Sequence, residues 1–121
     1  MKYEMTSQIN ELMNVVKQSL SIVQTATAKD EEIKMWIGAA ISDMNRQGID
    51  VLNNVEDSLV QGAVVLYVKA NFGFTDAKEK EIAQKSYNQV VNNLSLSSEY
   101  QVEVVIDAWC RMHFIINLHY I

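Results

Sequence analysis

Residues 30–48 read DEEIKMWIGAAISDMNRQG, from Asp30 to Gly48. Within them Ile33, Trp36, Ile37, Ala40, Ile41 and Met44 fall on one continuous apolar stripe at helical spacing. Asp30, Glu31 and Glu32 stand at the positive end of the helix dipole, and Arg46 stands at the negative end. Gly48 follows as a C′ residue, the usual helix stop. Spacing, charge and stop signal agree, so the segment predicts a helix over about Asp30–Gln47.

An amphipathic helix needs partners for its stripe, and three more segments qualify. Ile9, Leu12, Met13, Val16, Leu20 and Val23 predict a helix from about Ser7 to Ile22, capped by Thr6 or Ser7. Ser21–Ala28 reads as a small-residue connector. After a linker with a turn at Asn53-Asn54, a third helix is expected from Asp57 or Ser58 to Asn71, with Gly73 beyond it. Leu59, Val60, Ala63, Val64, Val65, Leu66, Tyr67, Val68 and Ala70 make it apolar on nearly every side. Such a helix is normally enclosed, and in a domain this small the enclosure calls for a neighbouring subunit. The run Val64–Val68 also suits a buried strand; the long breaker-free segment favours helix. A fourth helix is expected over about Asp76–Leu94, with Asp76 and Glu79 at capping-box spacing. Its stripe is Ile82, Ala83, Tyr87, Val90, Val91 and Leu94. Beyond it, Gln101–Val104 alternates like a strand, and Val105, Trp109, Met112 and Ile116 then repeat at helical spacing. The fold class expected is all-α, a small bundle of four to five helices. Residues 1–100 form the helical domain, and 101–121 form an apolar tail of undecided conformation.

Composition agrees. The chain has 121 residues, no proline, four glycines and one cysteine. Average proline usage is roughly 5%, so its absence fits long helices joined by short turns. The glycine spacing provides no phosphate-cradling loop. Ten Lys+Arg against fifteen Asp+Glu give a net charge of −5. Such a chain releases few counterions from a phosphate backbone, which disfavours tight nucleic-acid binding. Lys78, Lys80 and Lys85 alternate with acids as a solvated face, and Lys69 is expected to snorkel. No secretory leader pattern opens the chain. The apolar run Val102–Ile121 is interrupted by Glu103, Asp107 and Arg111, against a membrane span. The expectation is a soluble, intracellular protein without membrane association.

Constellations for chemistry are sparse. Asp107, Cys110 and His113 are spaced three apart, so on a helix a carboxylate, thiol and imidazole share one face. A structural zinc site takes four ligands, and there is no second cysteine. The same Cys–His pair fits a nucleophile and its base, while a buried cysteine beside a surface histidine is the ordinary alternative. Glu31/Glu32 and Glu79/Glu81 are carboxylate pairs, but helix N-termini account for them. No catalytic residue, metal ligand or cofactor-binding residue is assigned. Most aromatics read as core. Phe72-Gly73-Phe74 is the exception, placing two rings at a helix end beside a flexible residue, which suits a partner surface. The candidate subunit or partner interface comprises Leu59, Val60, Val64, Tyr67, Phe72, Phe74 and Trp109.

Two stretches resemble a known family. The first is Asp30–Ile49, with its acidic start, amphipathic helix and Gly-Ile end. The second runs Val64-Val-Leu-Tyr-Val-Lys-Ala-Asn-Phe-Gly-Phe74, then Gln84-Lys-Ser-Tyr87 and Leu94-Ser-Leu-Ser-Ser-Glu-Tyr100. Over about residues 10–100 the chain resembles the phage head–tail connector (adaptor) proteins, often labelled DNA-packaging proteins. The resemblance implies a structural protein with no catalytic residues and no cofactor. It implies a ring beneath the portal that extends the DNA channel and links the packaged head to the neck and tail. The partners implied are the portal protein, neighbouring copies in a ring matching the portal's twelve-fold axis, and a downstream neck or tail completion protein. DNA passes through without tight binding. The places implied are the bacterial host cytoplasm during assembly and the virion neck.

The residues are compatible with that reading. A ring repeats one heterologous interface, so each subunit needs two different adhesive faces. A dozen copies at −5 each carry a charge on the order of −60, which repels a DNA backbone. The departure from the family pattern is the tail after Leu94-Ser-Leu-Ser97. In the family the C-terminal region is implicated in docking onto the portal. Here residues 101–121 either serve that role or cover the core of the free subunit. Two other readings stay open: a small helical prophage regulatory or protein-binding module, and an enzyme or metal protein using Cys110 and His113.

Overall fold

The computed structural model describes residues 2–73 and 75–101, with side chains from Ser7 onward. Among the described residues, four helices carry the fold: α1 (Lys2–Ser19), α2 (Asp30–Arg46), α3 (Ser58–Asn71) and α4 (Ala77–Ser95). Short 3-10 turns lie at Leu52–Asn54 and Ser98–Tyr100. The one strand-like feature described is an isolated antiparallel bridge between Ile49 and Gln101. The all-α bundle expected from the sequence is the observed class. Val64–Val68 lies within α3 and is helical, not a strand.

Local chemistry explains the helix ends. α2 stops in a Schellman motif: Ile49 N–H donates to the Met44 carbonyl at 2.9 Å, and Gly48 N–H donates to Asn45 at 3.0 Å. Gly48 has φ +85°, the left-handed conformation that glycine adopts freely. α1 stops the same way, with Ile22 N–H on Lys17 (2.8 Å) and Ser21 N–H on Gln18 (3.2 Å). There the left-handed position is Ser21, at φ +59°. That motif ends α1 at Ser19, short of the expected Ile22. At its other end α1 begins at Lys2, so Thr6 and Ser7 lie inside the helix and do not cap it. Nothing from Lys2 to Ser7 breaks a helix, and a preference for Ser or Thr at a cap does not forbid them an interior turn.

Asp57 and Asp76 cap α3 and α4. Asp57 Oδ1 accepts from Leu59 N–H (2.8 Å) and Val60 N–H (3.3 Å). Asp76 Oδ1 accepts from Glu79 N–H at 2.8 Å. The Asn53-Asn54 turn is a 3-10 turn, pinned by both amide side chains on Asp50 (2.6 Å each).

α3 is the central helix and packs against α1, α2 and α4. Val60, Ala63, Val64 and Val68 are buried along it. They meet Leu12 and Val16 of α1, Ile33, Ile37, Ala40 and Met44 of α2, and Tyr87, Val91 and Leu94 of α4, all in one core. Burying each large side chain contributes roughly 1.5–3 kcal/mol. Three helices of the same chain thus supply most of the enclosure that α3 needs. Its apolarity alone does not demand a neighbouring subunit. Val65, Leu66 and Tyr67 remain half-buried, and Leu59 is exposed. The α4 stripe is narrower than expected: Ala83, Tyr87, Val91 and Leu94 are buried, Val90 is half-buried, and Ile82 faces solvent. Ile82 sits one residue before Ala83, about 100° around the helix from the buried row.

Candidate functional site

The described chain contains neither histidine nor cysteine, since both histidines and Cys110 fall after residue 101. The Asp107–Cys110–His113 constellation therefore lies outside the described residues. Among the described residues no cluster of three acids is placed to hold a metal ion. The carboxylates have structural tasks instead. Glu32 accepts from Trp36 Nε1 (3.4 Å) and from Gly73 N–H (3.1 Å), tying α2 to the α3–α4 turn. A Cβ at residue 73 would meet Glu32 Oε2 at 3.3 Å, so glycine lets the carboxylate approach that backbone closely. Glu81 pairs loosely with Lys85 at 3.7 Å on the exposed face of α4.

Three polar contacts fix the bundle, and the sequence patterns did not disclose them. Lys17 is 4% exposed, the one buried charge among the described residues. Its Nζ lies 2.5 Å from Asp30 Oδ1 and donates to the carbonyls of Ala26 (2.8 Å) and Gln24 (3.3 Å). One ammonium group thereby organises the connector from α1 to α2. Its available signal was a cation beside the apolar row of Met13 and Val16.

Asp43 joins α2 to α4. Its Oδ2 accepts from Tyr87 Oη at 2.6 Å and Gln47 Nε2 at 3.1 Å, and its Oδ1 pairs with Arg46 at 2.5 Å. The Tyr87 ring meets Tyr67 edge-on, with centroids 5.1 Å apart. Burial, then the hydrogen bond to the Asp43 carboxylate, holds the Tyr87 hydroxyl far above the ordinary tyrosine range.

Tyr100 closes the bundle's other end. Its hydroxyl donates to Asp57 Oδ2 at 3.0 Å, and its carbonyl accepts from Asp50 N–H at 2.7 Å. The bond to Asp57, more than burial, raises the hydroxyl above its usual range. Asp57 thus caps α3 with one oxygen and anchors the end of the described chain with the other.

The candidate interface residues separate on this frame. Val60, Val64 and Phe72 are buried in the chain's own core, at 0%, 0% and 1% exposure. Tyr67 is half-buried, and Leu59 is 55% exposed. Phe74 and Trp109 lie outside the described residues. Sequence reasoning missed other exposed apolar side chains: Val23, Met35, Ile82 and Leu96. A cleft of about 270 Å³ opens between the end of α1 and the α3–α4 turn, where Lys69 and Glu79 both line it. The exposed apolar side chains among the described residues are scattered over this surface.

Residues 12–101 match the family model described as phage connector protein. The matched span begins at Leu12, a fully buried core residue of α1, and ends at Gln101, the bridge partner of Ile49. The family region therefore contains every buried core residue described, from Leu12 to Tyr100. No curated protein and no solved structure matches the chain. A match across most of its length, coincident with its core, shows that the chain belongs to the phage connector protein family.

Proposed function

We propose that this protein is the head–tail connector of a tailed phage or prophage, a structural subunit without catalytic activity. Copies form a ring beneath the portal, extend the DNA channel, and present a surface to the next neck or tail component. The observation that carries this reading is the connector-family match over residues 12–101. The net charge supports a conduit role, since −5 per chain repels a DNA backbone and lets it slide. Among the described residues, exposed Leu59 and half-buried Tyr67 are the interface candidates that remain accessible, and exposed Met35 and Ile82 extend the available apolar surface. The partners are the portal, neighbouring copies in a twelve-fold ring and a downstream completion protein. The site of action is the virion neck, after assembly in the host cytoplasm. No described helix is long and apolar enough to cross a membrane.

The test is mass photometry of the purified chain with its portal. A discrete increment equal to a full ring of subunits supports the proposal. A chain that stays monomeric at every concentration and adds no mass to the portal overturns it.

A further inference from the structure

A second groove, also of about 270 Å³, opens where the start of α3 meets the end of α4. Leu59, Val90, Leu94 and Tyr100 provide its apolar lining, and Asn93 and Glu99 contribute polar groups. A lone exposed leucine is ordinary, but here it borders a concave, largely apolar lining of the kind that takes an apolar group. The chain leads directly to it. Tyr100 is part of the wall, and Gln101 is fixed beside it by the bridge to Ile49. The Gln101 N–H donates to the Ser98 carbonyl (3.3 Å), and its side chain donates to the Ser95 carbonyl (3.4 Å). The last described residues, Tyr100 and Gln101, therefore lie at the groove and beside it. Residues 102–121 follow, rich in large apolar side chains such as Val104, Val105, Ile106 and Trp109.

We propose that the groove is the seat of this chain's own residues 102–121 in the free subunit. The tether decides the occupant. A segment rooted at the groove meets it at an effective concentration in the millimolar range, whereas a second copy arrives only at its bulk concentration. The volume suits one aromatic or two branched aliphatic side chains. Seating them removes apolar surface from water on both sides at once. The inference concerns the free subunit, so its test is run on the chain without portal and at dilutions where it is monomeric, apart from the contacts proposed for Leu59 in the ring.

The experiment uses the full chain with Leu59 replaced by the photo-crosslinking residue p-benzoylphenylalanine. Leu59 is exposed, so the replacement leaves the core intact. After irradiation, crosslinked peptides are mapped by mass spectrometry. The expected result is crosslinking to peptides from 102–121 in a product that runs as a monomer. Its yield stays constant across about a hundred-fold dilution, as an intramolecular contact requires. A crosslinked dimer whose yield falls on dilution assigns the groove to a second copy and overturns the proposal. Crosslinks confined to residues before 102, or none at all, overturn it as well.

Discussion

The bond from Tyr87 to Asp43 is the sharpest test of how α4 is held to α2. Replacing Tyr87 with phenylalanine removes one hydroxyl and keeps the ring, which is 2% exposed and edge-on to Tyr67. A hydrogen bond to a charged group is worth about 1.5–3 kcal/mol. The Asp43 side chain is 22% exposed and keeps Arg46 and Gln47 as partners, so its carboxylate is not stranded. Tyr87→Phe is therefore expected at the low end, about 1.5 kcal/mol. Asp43→Ala is expected to cost more, about 2–3 kcal/mol, because it leaves the Tyr87 hydroxyl buried without its acceptor. The double variant separates the pair from its surroundings, and a coupling of about 1–1.5 kcal/mol is expected from urea denaturation. Additive single effects would refute the assignment of this bond as the α2–α4 link.

The same tyrosine gives an alkaline signature. Its ordinary value is 10.0 and the folded chain holds it higher, so the folded state keeps a proton that the unfolded state releases. Its contribution is fully present below pH 10 and is lost as pH rises beyond it, at up to about 1.4 kcal/mol per pH unit. Denaturation series through that range are expected to show a shallower decline for Tyr87→Phe. Ser21→Gly is expected to stabilise the chain by about 1 kcal/mol, since glycine accepts the left-handed turn without a Cβ penalty; thermal melting checks it. Lys17→Met is expected to destabilise by about 2 kcal/mol, because Asp30, at 29% exposure, regains water while two carbonyls lose their donor. Limited proteolysis is expected to show faster cleavage between residues 20 and 29 in that variant.

What could be read in advance was local. The α2 stripe, Gly48 as its stop, the start of α3 at Asp57 or Ser58, and Asp76 at the start of α4 rest on neighbours within a few residues, and all four appear as expected. The links from Asp43 to Tyr87 and from Asp57 to Tyr100 join positions 44 and 43 residues apart. They exist only once α3 and α4 are stacked, so no short-range pattern announces them. Phe72 is instructive. Its neighbour Gly73 suggested an exposed turn, yet Phe72 continues the row of Val60, Val64 and Val68 at steps of four and is buried with them. The apolar pattern outweighed the turn signal. α3 misled in another way: its many apolar faces reflect a central position among three helices of its own chain. Exposed apolar side chains such as Leu59 and Ile82 are less legible, because in sequence they look like members of the buried rows beside them.

Electron cryo-microscopy of the purified protein incubated with its portal tests the connector role most directly. The expected image is a closed ring of this chain coaxial with the portal, its four-helix bundle recognisable in each subunit and its lumen continuous with the portal channel. Portal particles without added density, at protein concentrations well above those of assembly, would contradict it.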